Sequence, residues 1–330
     1  MRGKRITYLS LALYFLFVTT LPFAAGRKEE LRWPDPEKTI TMVVPFAAGG
    51  GTDLIFRALV EEFKKQVPCN VVISNIGGAG SATGTNEVLR LPADGYTLLA
   101  SGTHTVAATL QGLTEGAFQI EGIMGLNWDP FIVATQVNKP WKSFPELVAS
   151  AKAKPKSISL GNAGMGGATG VASIGINQAF EGAFNVTPFG GGADLLAAVL
   201  GGHCDVGIFS QTEVVANKNM LRPLVVLYEK RSIIPDLSGV PTLPEAGFPN
   251  VKIPAGSYRS VSVKKGTPPE VKKVLAQAFK KAFDSPAFQE YMKKNGLIPA
   301  FTLLGDTDAY FEELKKMYTP ILKEAGLLKR

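Results

Sequence analysis

The residues of this 330-residue chain that are best placed to do chemistry are glycines that follow short apolar runs. Gly49, Gly50 and Gly51 come after Thr39–Val44, whose β-branched and apolar residues predict a buried strand. Apolar residues at helical spacing follow from Ile55 onward. Glycine lets the backbone turn sharply and leaves its N–H groups uncovered. A strand, a glycine loop and a helix N-terminus in this order present N–H donors and the positive end of a helix dipole to an anion.

The same design recurs further along the chain. Residues 75–80 follow a predicted strand at 70–74, and residues 161–169 follow a predicted strand at 157–160. Each of these glycine loops leads into a predicted helix. Repeated strand–loop–helix units predict an α/β fold whose sheets are mostly parallel and flanked by helices. Because ligands of such sheets sit beyond the carboxyl ends of strands, we expect the loops to share one site.

Two ionisable residues at these strand ends have more than one interpretation. His104 follows the third predicted strand and could help hold an anion, or it could only pack or cap. Asp53 stands at the predicted start of the first helix, where a carboxylate often caps. It could instead pair with an ammonium group if the ligand is an amino acid.

Enzyme signatures are weak in this sequence. Residues 78–84 and 164–170 are similar to dinucleotide fingerprints but have one residue too many before the last glycine. No lysine follows a glycine cluster at phosphate-loop spacing, and no nucleophile-elbow motif occurs. His104 and His203 are the only histidines, which argues against a nucleophile–base pair or a metal cluster. We therefore expect a non-enzyme with no catalytic residue, no cofactor and no metal.

The N-terminus is typical of an export signal. Arg2, Lys4 and Arg5 precede a long apolar stretch, and small residues at 24–26 suit cleavage, so residues 1–26 are predicted to be a signal peptide. The alternative is an uncleaved anchor helix, because the apolar stretch is nearly long enough to span a bilayer. Export places the protein in the periplasm. The only cysteines, Cys69 and Cys204, are expected to be unpaired, because they are predicted to lie in different lobes.

The charge of the chain excludes one class of partner. The formal net charge is +7, and removing the three basic residues of segment 1–26, which has no acidic residue, leaves +4. The basic residues are also scattered along the chain. A small, dispersed surplus favours an anionic ligand slightly and is too weak for nucleic-acid binding.

Several motifs then resemble one family. The runs VVPFAAGGGTD (residues 43–53), DGYTLL (94–99) and VPTLPEAGFP (240–249) are similar to the extracytoplasmic substrate-binding proteins of tripartite tricarboxylate transporters, the Bug family. The resemblance implies a two-lobed, hinged periplasmic-binding-protein (Venus-flytrap) fold, with residues 32–127 and 257–330 in lobe 1 and residues 128–256 in lobe 2. It also implies a monomer that captures a small carboxylate, such as a di- or tricarboxylate, and hands it to integral membrane transporter subunits. A sensor module for a signalling receptor and, less favoured, an enzyme on the same scaffold stay open.

The resemblance also indicates which residues would bind the ligand, through backbone N–H groups of two facing loops and nearby side chains. Three positions depart from the family pattern: Gly167 and Gly170 stand where serine and histidine are usual, and Phe189 where tyrosine is usual. Those departures imply fewer hydrogen bonds or a less polar ligand. The expected ligand-binding residues are Phe46, Gly49, Gly50, Gly51, Thr52, Asp53, Ser101, Thr103, His104, Asn162, Ala163, Gly164, Gly166, Thr169, Gly190 and Ser210.

Overall fold

A ten-stranded mixed sheet organises residues 33–251 and 253–329, the part of the chain that the computed structural model describes. All of these strands belong to one unit, Pro34–Arg330. The signal peptide predicted over residues 1–26 lies outside the described residues. The strands are β1 (Thr39–Val44), β2 (Asn70–Asn75), β3 (Thr97–Gly102), β4 (Ile120–Gln136), β5 (Ser159–Asn162), β6 (Asn185–Pro188), β7 (Val206–Ser210), β8 (Leu221–Val226), β9 (Gly256–Lys264) and β10 (Ile298–Leu303).

Helices alternate with most of these strands and cover the sheet. Within the described residues, no helix is both long enough and apolar enough to cross a membrane. The helices are α1 (Gly51–Phe63), α2 (Ala82–Arg90), α3 (Thr103–Leu110), α4 (Gly116–Gln119), α5 (Phe144–Ala153), α6 (Ala168–Ala179), α7 (Gly192–Leu200), α8 (Gln211–Ala216), α9 (Pro269–Phe283), α10 (Pro286–Lys294) and α11 (Gly305–Glu324).

The strand order divides the sheet into two halves. The order is β2-β1-β3-β9-β4-β7-β5-β6, and β8 and β10 also pair with β4. The outer pairs β1–β2, β1–β3, β5–β6 and β5–β7 are parallel, whereas every pair that includes β4 or β9 is antiparallel. We call β1, β2, β3, β9, β10 and the first part of β4, with their helices, the first lobe. The second lobe contains β5 to β8 and the last part of β4.

Two antiparallel strands carry the chain from one lobe to the other. Strand β4 pairs with β10 and β9 in its first part and with β7 and β8 in its last part. At the crossing point Asp129 pairs with Ser257 and Pro130 with Gly256. The β4–β9 register shifts twice just before this point, between Gly122 and Met124 and between Gly125 and Asn127. Such bulges bend a strand locally, which suits a connection between two lobes.

Each lobe has buried hydrophobic residues, and one cluster joins the lobes, because Val171 and Ile174 of α6 pack among first-lobe residues that include Phe311. In the second lobe Phe144 and Phe180 are buried and meet edge to face, with ring centroids 5.7 Å apart. In the first lobe Phe63 stacks on Phe279, with ring centroids 3.9 Å apart, which joins α1 to α9.

Cys69 and Cys204 are both buried and unpaired, so the prediction of two free thiols is confirmed.

Several predicted elements differ from the structure. The sequence pattern predicts two strands, at residues 118–124 and 131–137, on either side of residues 127–130, but β4 runs through this segment without a break. The sequence Thr267-Pro-Pro-Glu270 predicts a capping box, but α9 begins after Pro268 and the Thr267 hydroxyl donates to the Lys264 carbonyl instead. Helices α3 and α8 and strand β10 were not predicted. By contrast, β1 has the predicted bounds, and Ser143 caps α5, as the capping-box sequence Ser143-Phe-Pro-Glu146 predicts.

Candidate functional site

The first glycine loop connects β1 to α1. Helix α1 begins after Gly50, which has no side chain with which to cap it. Asp53 does not cap the helix either. Its carboxylate accepts hydrogen bonds from the Gly49 amide (2.8 Å), Arg57 Nε (2.8 Å) and Asn75 Nδ2 (2.9 Å). Burial raises the pKa of Asp53, but these hydrogen bonds outweigh burial and hold the pKa below its usual value. The carboxylate therefore fixes the loop, and it is buried away from the cavity wall, where a ligand ammonium group would bind.

The second glycine loop connects β5 to α6 in the other lobe. Helix α6 begins after Gly167, again without a side-chain cap. The loop is shaped by its own polar side chains. Asn162 Oδ1 accepts from the Gly164 amide at 3.0 Å, and Thr169 Oγ1 accepts from the Ala163 amide at 3.0 Å. These bonds hold the turn so that the first amides of α6 remain uncapped.

A third helix, α7, starts in the same manner. Its N-cap is Gly191, which forms no side-chain hydrogen bond to the helix. Elsewhere in the fold, α5 and α10 are capped by the hydroxyls of Ser143 and Ser285. The first-turn N–H groups of a helix have no partner within the helix. Helices α1, α6 and α7 therefore expose donors that could bind an anion.

These three helix N-termini meet at a cavity between the lobes. The cavity has a volume of about 50 Å³, enough for on the order of four water molecules. Helices α1 and α3 and strand β9 contribute from the first lobe, and helices α6, α7 and α8 contribute from the second. The lining residues are Phe46, Gly50, Gly51, Thr52, His104, Phe131, Ala163, Gly167, Ala168, Thr169, Gly192, Ser210, Glu213, Ser257 and Arg259.

Beside the cavity the two lobes contact each other through the backbone of glycine residues. A Cβ atom added to Gly80 of the first lobe would lie 2.5 Å from Gly166 Cα of the second lobe. A Cβ added to Gly166 would lie 2.7 Å from the Ala79 carbonyl oxygen and 2.6 Å from Leu113 Cδ1. Real Cβ atoms essentially never come this close to another heavy atom. The closed arrangement thus depends on glycine at these positions.

His104 lines the cavity but supplies no positive charge. Its Nε2 lies 2.9 Å from the Ala100 carbonyl oxygen, and since a carbonyl only accepts, Nε2 carries the proton and Nδ1 is an acceptor. Burial lowers the pKa of His104 to about 4, and the bond to Ala100 offsets only part of this effect. The ring also packs edge-on against Phe46, with centroids 5.0 Å apart. Of the two roles considered, the structure supports packing.

A buried ion pair lies at the crossing point of the lobes. Arg259 on β9 is 2% exposed and Asp129 on β4 is fully buried, and Nη1 of the arginine is 2.9 Å from the aspartate Oδ2. Arg259 Nε also donates to Thr52 Oγ1 at 3.3 Å, and Thr212 Oγ1 donates to Asp129 Oδ2 at 2.7 Å. One cation and one anion thus compensate each other, so the pair gives the cavity no net charge.

Glu213 is the acidic side chain of the cavity wall. It is the third residue of α8 and forms a capping box with Ser210, whose amide and hydroxyl each donate to its Oε2 at 2.9 Å. The Gly51 amide of the opposite lobe is close enough to the carboxylate to lower its pKa. Burial raises the pKa of Glu213, these bonds offset part of the rise, and the charge of Asp129 adds to it. Its Oε1 faces the starts of α1 and α7 and would contact a Cβ on Gly192.

The structure brings half of the predicted site residues to the cavity wall: Phe46, Gly50, Gly51, Thr52, His104, Ala163, Thr169 and Ser210. The others lie outside the lining. Gly49, Asp53, Asn162 and Gly164 shape the two loops, Gly166 contacts the opposite lobe, and Gly190 is exposed. Ser101 and Thr103 are turned into the sheet, where their hydroxyls contact hydroxyls of β9.

Glu213 and Arg259 are the lining residues that matter most among those not predicted. Glu213 had a detectable signal, because Ser210-x-x-Glu213 directly after a strand is a capping-box pattern. Arg259 lies in β9 among serines, valines and a tyrosine, and this local sequence gives no signal of a buried ion pair. No group of three or more His, Cys, Asp or Glu in the described part of the chain is arranged to hold a metal ion. The remaining unpredicted lining residues are Phe131, Gly167, Ala168, Gly192 and Ser257.

Comparison with known proteins identifies the family. The family model of TctC, the tripartite tricarboxylate transporter family receptor, matches residues 55–327. The chain belongs to this family. The match begins inside α1, at residue 55, and ends just after α11, so it includes both lobes, helices α6 and α7, and the part of α1 that follows its N-terminal turn. The resemblance inferred from the sequence motifs is confirmed.

Individual relatives of this TctC-family chain agree over nearly its full length. The protein BugT of Bordetella pertussis is 26% identical over 323 residues, which cover 96% of this chain and 97% of BugT. The structure of the periplasmic binding protein BugD matches with a TM-score of 0.81 at 27% identity, over 90% of this chain and all of that chain. An R. palustris protein solved with adipate matches with a TM-score of 0.81 at 23% identity, over 89% of this chain and 98% of that chain. The α/β, two-lobed periplasmic-binding-protein fold is therefore confirmed.

Proposed function

We propose that this chain is an extracytoplasmic solute-binding protein that captures a small carboxylate between its lobes. It then delivers the carboxylate to the membrane subunits of a tripartite tricarboxylate-type transporter. One observation carries the proposal: α1 of the first lobe and α6 and α7 of the second present glycine-capped N-termini to one cavity. Uncapped first-turn amides and the positive ends of helix dipoles favour a carboxylate.

The comparisons support the same ligand class. The family is described as a receptor of tricarboxylate transporters, and the R. palustris neighbour holds adipate, an organic diacid, on the same fold. In this chain the helix termini, rather than cationic side chains, would supply the attraction, because Arg259 is already paired with Asp129. The signal peptide predicted over residues 1–26 would place the receptor in the periplasm, where it would act as a monomer.

Ligand capture would couple to closure of the lobes. The proposed lobes are residues 32–127 with 257–330, and residues 128–256, and the hinge is the antiparallel crossing of β4 and β9 with its two bulges. A carboxylate that contacts amides of both lobes binds the closed form better than the open form, so it shifts the equilibrium toward closure. The closed face would then be recognised by the membrane carrier.

Calorimetry against a panel of acids tests this function. The panel contains malate, succinate, adipate and citrate, together with amino acids, and small-angle X-ray scattering follows closure. We expect at least one member to bind and to reduce the radius of gyration. Failure of every member to bind well-folded protein would overturn the proposal.

A pair of alanine variants refines the test. A Cβ at Gly51, the first residue of α1, would contact Ser210 Oγ across the cleft, so Gly51→Ala should weaken binding about tenfold or more. Gly305 is the first residue of α11 and has open space around the position of a Cβ, so Gly305→Ala should bind as the wild type does. Equal affinities for the two variants would argue against a site at the start of α1.

A further inference from the structure

The ionisable side chains of the cavity leave it with an acidic excess. Among the described lining residues they are His104, Arg259 and Glu213. His104 is neutral because burial lowers its pKa to about 4, and Arg259 is compensated by Asp129 at 2.9 Å. Glu213 has no cationic partner among the described residues, since the hydrogen bonds to its carboxylate come from the Ser210 amide and hydroxyl. Burial raises the pKa of Glu213, and a ligand ammonium group beside it would favour its ionised form, so this wall suits a cation better than a second anion.

Glu213 also occupies part of the anion-binding surface. Its Oε2 is held by Ser210, and its Oε1 faces the starts of α1 and α7, 3.7 Å from where a Cβ on Gly50 would stand. The acidic oxygen thus already lies against two of the three helix N-termini that could receive a ligand carboxylate. The start of α6, with Ala168 and Thr169 on the cavity wall, is the terminus that it leaves open.

We propose that Glu213 selects zwitterionic ligands, so that the solute is a short amino acid rather than a plain di- or tricarboxylate. Its carboxylate binds at the N-terminus of α6, and its ammonium group binds Glu213 Oε1. This inference rests on the proposed function and specifies the ligand class of the same cavity. A second ligand carboxylate would instead lie beside the Glu213 carboxylate, and like charges at such short range repel. The volume of about 50 Å³ favours a ligand with few atoms between its two charged groups.

Matched ligand pairs that differ by one ammonium group test the proposal. Calorimetry at pH 7.5 compares propionate with β-alanine, butyrate with 4-aminobutyrate, and succinate with aspartate. We expect the amino member of at least one pair to bind about tenfold or more tightly than its partner. This measurement uses the wild-type protein, so it does not depend on how any variant folds. Tighter binding of succinate than of every amino acid would overturn the proposal.

Glu213→Gln isolates the residue responsible. Glutamine keeps the capping box of α8, because it fills the same third position as glutamate, so the variant should fold normally. The preference for the amino member should fall about tenfold or more. Asp194→Asn is the matched control, since Asp194 is an exposed acid in the first turn of α7 outside the cavity lining, and it should keep the wild-type preference.

The outcomes separate this inference from the proposed function. An unchanged preference in Glu213→Gln would mean that Glu213 is protonated and donates, as glutamine does, and would overturn the role assigned to it. Binding of plain carboxylates with no amino preference would overturn this inference and leave the proposed function intact. No binding by any member of the panel would overturn both.

Discussion

Replacement of Gly166 by alanine should block closure of the lobes without touching the ligand. Gly166 lies outside the cavity lining, and its added Cβ would stand 2.7 Å from the Ala79 carbonyl oxygen of the first lobe. That oxygen would have to retreat by about 0.7 Å to reach ordinary contact at 3.4 Å. The clash with Leu113 is easier to relieve, because a side-chain end can rotate. Parting of the lobes removes both clashes, so the substitution should penalise the closed form selectively.

The size of the effect follows from the cost of overpacking. A buried methyl group forced into a filled space costs about 1–3 kcal/mol, which corresponds to roughly 5- to 150-fold weaker ligand binding. The affinity falls because a smaller fraction of the unliganded protein is in the binding-competent form. Calorimetry with the tightest acid or amino acid of the panel measures the affinity. Scattering from unliganded protein should give a larger radius of gyration than that of the wild type.

Gly239→Ala is the control for this experiment. Gly239 is exposed and has no heavy atom within 4 Å of an added Cβ, and its φ angle is not positive. Its alanine variant should therefore match the wild type in both measurements, apart from a small stabilisation from lost chain entropy. The reasoning is refuted if Gly166→Ala shows the same affinity and radius of gyration as Gly239→Ala.

Three further changes test the buried polar groups. Arg259→Met should lower the free energy of unfolding, measured in urea, by about 3–5 kcal/mol, because Asp129 is left buried without its cation. Adding Asp129→Leu should restore most of the lost stability, and a double variant as unstable as Arg259→Met would contradict this explanation. The pKa of His104 is about 4, against 6.5 in the unfolded chain, so its neutral ring stabilises the fold fully above pH 6.5. That contribution falls as the pH drops from 6.5 to 4, by up to about 3 kcal/mol, and His104→Gln should remove this part of the pH dependence. Asp53→Ala should lower the free energy of unfolding by about 1–3 kcal/mol, since the Gly49 amide and Asn75 lose their acceptor. It should also speed amide hydrogen exchange at residues 46–51, and unchanged exchange would count against the structural role of this carboxylate.

Local patterns in the sequence were sufficient to predict the first strand and the first glycine loop of the site. The strand Thr39–Val44 and the glycines after it could be predicted, because both signals lie within a dozen residues. Helix α3 could not be predicted, since all eight of its residues are buried and a helix buried on every side has no amphipathic period. The sequence pattern divides β4 into two predicted strands at residues 127–130 because proline usually ends a strand, whereas Pro130 stands where β4 passes between the lobes.

The candidate site was predictable where its residues lie in or next to the glycine loops and strand ends, and not where they come from distant parts of the chain. Arg259 pairs with Asp129, which is 130 positions away, and no local pattern indicates such a contact. The departures at Gly167 and Gly170 were interpreted as missing polar groups. At Gly170 the structure gives a physical reason, since a Cβ there would lie 2.5 Å from the carbonyl oxygens of Gly164 and Met165. The second loop therefore has no room for a larger residue at that position.

The unbroken strand β4 has a consequence for how the protein unfolds. Its 17 residues belong to both halves of the sheet, so neither half can lose this strand without removing hydrogen-bond partners from the other. Unfolding of one lobe therefore destabilises the other, and the two lobes should unfold in a single cooperative thermal transition. A core substitution in the second lobe would then lower the same transition temperature as one in the first, and neither lobe should persist as a folded fragment by itself.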